Sequence, residues 1–143
     1  MPNYQRILAA IDLSDETNAV LTRAEAMAAS YGAELHLVHV VEPLSLAYGG
    51  DIPMDFSSVQ EQLQTQAEES LHQYATRANI PTDRCHLLSG RPDSQVHELC
   101  DSLNADLIIV GSHGRKGLAL LLGSTANGVL HGAKCDVLAV RVG

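Results

Sequence analysis

Basic residues are scarce in this chain: nine Lys and Arg stand against seventeen Asp and Glu among 143 residues, for a formal net charge of −8. Nucleic acids and anionic membrane surfaces reward the opposite sign, so neither is an expected partner. No apolar run approaches the ~20 residues that a membrane helix needs, and the opening Asn3-Tyr4-Gln5-Arg6 lacks the pattern of a secretory signal. The expectation is therefore no membrane insertion and a cytoplasmic address. Cysteine is limited to Cys85, Cys100 and Cys135, an odd number, far apart and without C-x-x-C spacing. That argues against a disulfide framework or a zinc site and leaves them as small core residues. Three sequence signatures are also missing: the G-x-S-x-G elbow, the G-x-x-x-x-G-K-[ST] phosphate loop and the G-x-G-x-x-G dinucleotide fingerprint, so hydrolase, P-loop and dinucleotide readings lack their motif.

What is present is an ordinary globular composition, 45% hydrophobic, in a length that suits one domain over residues 1–143. Such a chain buries roughly two-thirds of its unfolded surface and folds without a metal or disulfide staple.

Apolar runs and helical periodicities alternate along the chain. Residues 6–12, Arg-Ile-Leu-Ala-Ala-Ile-Asp, read as a buried strand with Asp12 at its carboxyl end. Ser14 is the expected N-cap of a helix whose first turn carries Asp15 and Glu16, and whose apolar face is Val20, Leu21, Ala24, Met27, Ala28 and Tyr31. Gly32 ends it, and residues 35–41 form a second strand. A loop of irregular composition over 42–57 precedes a long helix that opens on a Ser58/Glu61 capping box, with Val59, Leu63, Ala67, Leu71, Tyr74 and Ala78 at helical spacing. Strand three is expected at 84–88, a helix opening at Pro92, strand four at 106–110, a helix at about 124–131 and strand five at 136–142. Five strands alternating with four helices predict an α/β, doubly wound parallel sheet with right-handed crossovers. In such a sheet the ligand sits outside the carboxyl ends of the strands, where the strand order reverses.

The stretch with the most chemical content is Gly111-Ser112-His113-Gly114-Arg115-Lys116-Gly117, followed by Gly123-Ser124-Thr125. It links strand four, expected to stop at Gly111, to a helix start. Gly111 and Gly114 permit a sharp turn and close backbone approach to a ligand, and the unpaired N–H groups after Gly123 favour phosphate. Charge agrees with this reading: from Gly111 onward four basic residues (Arg115, Lys116, Lys134, Arg141) face one acid (Asp136), a net of +3, leaving −11 on the preceding 110 residues. The seven histidines suggest no metal site. His36 and His39, three apart on a strand, point to opposite faces, and His72 and His97 fall on separate helices. His113, inside the cradle, is the exception and is placed to donate to a phosphate.

Taken together, the opening Ile7-Leu8-Ala9-Ala10-Ile11-Asp12-Leu13-Ser14, the His39-Val40-Val41 strand end, Gly90-Arg91-Pro92, the strand and loop from Asp106 to Gly114, and the closing Val137-Leu138-Ala139-Val140-Arg141 resemble the universal stress protein family across the whole chain. The resemblance implies strand order 3-2-1-4-5, an adenine nucleotide alpha hydrolase-like fold and a homodimer; in that order the C-terminal strand, Val137 to Val142, is an edge whose unpaired backbone groups a second copy would satisfy. In the family's ATP-binding branch the glycine pattern is G-2x-G-9x-G followed by Ser or Thr. Here Gly111, Gly114, Gly123 and Ser124 match its letters with a second gap of eight residues. The resemblance further implies that Asp12 contacts ribose or adenine and that the Val40 backbone reads the adenine edge. Gly111, Gly114, Gly123, Ser124 and Thr125 would then hold ribose and phosphates, with Mg²⁺ carried by the phosphates of ATP. Ala10, Ser112, His113 and Arg115 complete the expected nucleotide-binding set. Two functions follow from the resemblance: a nucleotide-responsive stress protein, at most a slow ATPase, or a nucleotide-free dimer acting through protein contacts.

Overall fold

The computed structural model describes residues 4–43, 57–113 and 124–142, with Ser57, His113, Ser124, Thr125 and Val142 described by their backbone. The elements are β1 (Arg6–Ala10), α1 (Thr17–Tyr31), β2 (Glu34–Val41), α2 (Ser57–Arg77), a 3-10 turn (Thr82–Arg84), β3 (Cys85–Ser89), α3 (Pro92–Leu103), β4 (Leu107–His113), α4 (Ser124–Leu130) and β5 (Asp136–Val142). All strand pairs are parallel, and the sheet runs β3-β2-β1-β4-β5. The order reverses between β1 and β4.

Helices cover both faces, which is why the middle of each central strand is apolar on both sides: Ile7 to Ala9 of β1, Leu37 and Val38 of β2, and Leu107 to Val110 of β4 are all buried. On one face Ile7, Ala9, Leu37 and Ile109 pack with Val20, Leu21 and Ala24 of α1 and Leu71 and Ala75 of α2. On the other, Leu8, Val38, Ile108 and Val110 pack with Val96 and Cys100 of α3 and Ala126 and Val129 of α4. Gly128 lets α4 lie close to α3, because a Cβ there would stand 2.9 Å from the Asp93 Cβ. The amino ends of β1 and β4 are locked together by the Asp106 carboxylate, which accepts from the backbone N–H of Gln5 at 2.9 Å and of Arg6 at 3.1 Å.

Several local expectations need correction. Ser14 does not cap α1, which starts at Thr17. The chain first makes a turn in which Ser14 and Thr17 gather on Asp12, and Leu13 takes a left-handed conformation with φ 63°. Gly111 does not end β4: β5 runs alongside as far as Val142, so the ladder continues through Gly111↔Val140 and Ser112↔Arg141 to His113↔Val142. Ser58 lies inside α2, which begins at Ser57, and Val59 and Leu63 of its apolar series are exposed, Leu63 bordering the cavity described below. Tyr31 is also exposed at 38%, its ring meeting Tyr4 edge-on at 5.0 Å. Most of the expected 42–57 loop lies outside the described residues. Gly32 does close α1, in the left-handed region with its N–H on the Ala28 and Ala29 carbonyls, and Pro92 does open α3.

Candidate functional site

Because every strand is parallel, all carboxyl ends lie on one rim, and the reversal of order between β1 and β4 opens a crevice there. A cavity of about 530 Å³ occupies that place. Its floor is Ala10 at the end of β1 and Ile11 after it, Val38 to Val41 of β2, and Val110 and Gly111 of β4, with Asp12, Leu13 and Glu16 on one side and Leu63, Gln66, Ala67 and Ser70 of α2 above. Pro92 and Val96 of α3 close the other side. The volume lies in the range of small-molecule sites, and the lining is mainly apolar with a few polar groups at the edge.

The segment that carries Asp12 is held from β2. Ile11 donates its N–H to the Val38 carbonyl at 2.9 Å, and its own carbonyl lies 2.7 Å from His39 Nδ1. A carbonyl oxygen only accepts, so Nδ1 carries the proton. Beyond Ile11 the chain turns, and Asp12 Oδ1 accepts from the Ser14 N–H at 3.0 Å, the Ser14 hydroxyl at 2.7 Å and the Thr17 hydroxyl at 3.3 Å. Ser14 then accepts from the Glu16 N–H on its hydroxyl and from the Thr17 N–H on its carbonyl, so this turn leads directly into α1. The result is an acceptor-only carboxylate fixed at the cavity wall, suited to hydroxyl donors such as those of a sugar.

The site residues expected from sequence fall into three groups. Ala10, Asp12, Val40 and Gly111 come together around the cavity. Ser112 and His113 continue β4 past it, and the Ser112 hydroxyl donates to the Val140 carbonyl at 3.3 Å, toward β5. Ser124 and Thr125 are the first residues of α4, and Gly114, Arg115 and Gly123 lie outside the described residues. Sequence reasoning missed His39, Glu16 and the contribution of α2. His39 carried a signal, since it is a polar side chain in the otherwise apolar end of β2. The α2 residues Leu63, Gln66, Ala67 and Ser70 follow a helical i, i+3, i+4, i+7 series, which identifies a face without saying what it covers.

A second polar cluster lies at the opposite, amino-terminal end of β2. His36, only 5% exposed, has Nε2 at 2.6 Å from Glu34 Oε1 and Nδ1 at 3.1 Å from His86 Nε2, with the two rings stacked. The hydrogen bond from His36 holds the Glu34 carboxyl below its usual range, helped by Arg84 and Arg6. Burial, and then the neighbouring His36, push the His86 ring below its ordinary value.

The universal stress protein family matches over residues 3–141. Universal stress protein A homolog 1 of Coxiella burnetii is 45% identical over 139 residues, spanning 96% of both chains. Among solved structures, the universal stress protein UspA of Lactobacillus plantarum superposes with a TM-score of 0.77 at 22% identity, covering 99% of this chain and all of that one. A universal stress protein in complex with cAMP superposes with a TM-score of 0.68 at 24% identity, covering 98% of each. With the family spanning nearly every residue and a relative 45% identical along almost its whole length, this chain belongs to the universal stress protein family.

Proposed function

We propose that this chain binds an adenine nucleotide in the cavity at the β1/β4 reversal and acts as a nucleotide-responsive stress protein. The observation that carries the reading is the convergence of Asp12 and Gly111, 99 positions apart, on one preformed crevice of about 530 Å³. The apolar floor of Ala10, Val38, Val40 and Val110 suits a purine, and the Asp12 carboxylate suits ribose hydroxyls. Asp12, Glu16 and Glu42 on the β1–β2 side repel phosphate, so the phosphates lie over the β4 end, where the chain continues from His113 toward Arg115, Lys116 and the Gly123-Ser124-Thr125 segment. Mg²⁺ enters with the phosphates of ATP. The related protein solved with cAMP supports a nucleotide as the ligand class. We further infer a homodimer through β5, the edge strand of the sheet, whose outer backbone groups a second copy satisfies.

The test is to denature freshly purified protein, run the released small molecules on an anion-exchange column, and titrate Mg-ATP against thermal unfolding in parallel. Released adenine nucleotide, or a melting temperature raised by Mg-ATP in the native chain and unmoved in Gly114→Val, supports binding. No released nucleotide together with an unchanged melting curve at millimolar Mg-ATP overturns it.

A further inference from the structure

Cys100 and Cys135 are distant in sequence but meet in space, with their sulfurs 3.4 Å apart. Cys100 lies in the last turn of α3 and is 5% exposed. That turn is closed by Asn104 in the left-handed conformation and by the Ala105 N–H on the Cys100 carbonyl at 3.0 Å, while the Cys100 thiol itself lies 3.5 Å from the Ala105 carbonyl oxygen. Cys135 immediately precedes β5 and is half-buried against the same core. One residue along on each side, Lys134 Nζ stands 3.6 Å from Asp101 Oδ2, a second connection between the same two segments. Cys85 packs on the other face of the sheet and does not compete for either sulfur.

We propose that Cys100 and Cys135 form a reversible intramolecular disulfide when the protein meets a hydroperoxide. The sulfurs already touch at 3.4 Å, and the bond draws them together to ~2.05 Å. Cys135, the more exposed of the two, attacks as thiolate on a peroxide oxygen. The O–O bond breaks, hydroxide leaves, and a sulfenic acid forms on Cys135. The Cys100 sulfur, its proton lost to solvent, then attacks the Cys135 sulfur; the S–S bond forms, the S–O bond breaks and hydroxide departs to become water. In sum two thiols lose two hydrogen atoms and one hydrogen peroxide becomes two waters. Burial pushes both thiols up, Cys135 to about 12, so little thiolate is present at neutral pH and the reaction is slow. The bond closes a loop from 100 to 135 that contains β4, the glycine stretch and α4, the segments proposed above to hold phosphate.

Full-length protein carrying Cys85→Ser, so that no third thiol confuses the result, is incubated with excess hydrogen peroxide, alkylated and measured by intact mass and peptide mapping. The expected result is a monomer lighter by two hydrogen atoms, protected from alkylation at both remaining cysteines, with a Cys100–Cys135 cross-linked peptide that dithiothreitol dissolves. Adding Cys135→Ala abolishes the two-hydrogen loss. The proposal is overturned if Cys100 and Cys135 remain fully alkylated, if they accumulate only as separate sulfenic or sulfinic acids, or if disulfide appears only between chains. None of these readings depends on nucleotide binding.

Discussion

His39 Nδ1 donates to the Ile11 carbonyl at 2.7 Å, and this one bond ties the end of β2 to the segment that presents Asp12 to the cavity. Replacing His39 with Leu keeps apolar bulk and removes the donor, leaving a half-buried carbonyl short of its partner. The expected cost is about 1–2 kcal/mol of stability, measured from urea midpoints. If Asp12 binds a nucleotide, the same substitution weakens Mg-ATP affinity in a calorimetric titration.

Gly128 supplies the close approach of α4 to α3. Alanine is the better helix former, so local propensity alone predicts stabilisation by about 0.5–1 kcal/mol. The 2.9 Å approach to the Asp93 Cβ reverses the sign, and Gly128→Ala is expected to lose about 1–2 kcal/mol net in chemical denaturation. A variant as stable as the parent would show that the two helices separate at little cost.

Acid should destabilise the amino-terminal end of the sheet. His86 and Glu34 both bind protons less readily folded than unfolded, so their contributions are present at high pH and lost on acidification. The His86 part disappears as pH falls below the ordinary imidazole value of 6.5, and the Glu34 part below 4.5. The melting midpoint should therefore decline in two stages on acidification, and His86→Asn should remove the first. An unaltered slope between about pH 7 and 5 in that variant would contradict the assignment.

Ala139 is exposed on β5, at the sheet edge. In a two-fold dimer built through this strand, Ala139→Glu places two like charges near each other in the interface. Light scattering should then read half the parent mass at equal concentration, and an unaltered mass would move the interface away from β5.

Much of this architecture is legible in the sequence because it rests on burial. The apolar run Leu107 to Val110 and the spacing of Val20, Leu21, Ala24 and Ala28 reflect which surfaces lose water, and local pattern records that directly. The turn after β1 was misread for a different reason. Ser14 is a good helix cap by type, but a nearer acceptor, the Asp12 carboxylate, takes its hydroxyl and N–H, and the helix begins three residues later. The end of β4 was misread because Gly111 marks a chain break only when no neighbour continues the ladder, and β5 does. Likewise, the pairing of Cys100 with Cys135 and of His36 with His86 depends on which strands and helices become neighbours, information carried by topology rather than spacing.

The lock that Asp106 makes on Gln5 and Arg6 also bears on how the chain comes together in time. β1 is the middle strand of the sheet, yet its pairing with β4 joins Ile7 to Leu107, a hundred positions downstream. Its other neighbour, β2, becomes available much earlier, so a β1–β2–β3 half-sheet with α1 and α2 can assemble while one edge of β1 stays open. Closing that edge is a high-contact-order step that slows folding. The cavity takes Ala10 and Ile11 from one side of that pairing and Val110 and Gly111 from the other, so its floor is complete only when β1 and β4 have joined.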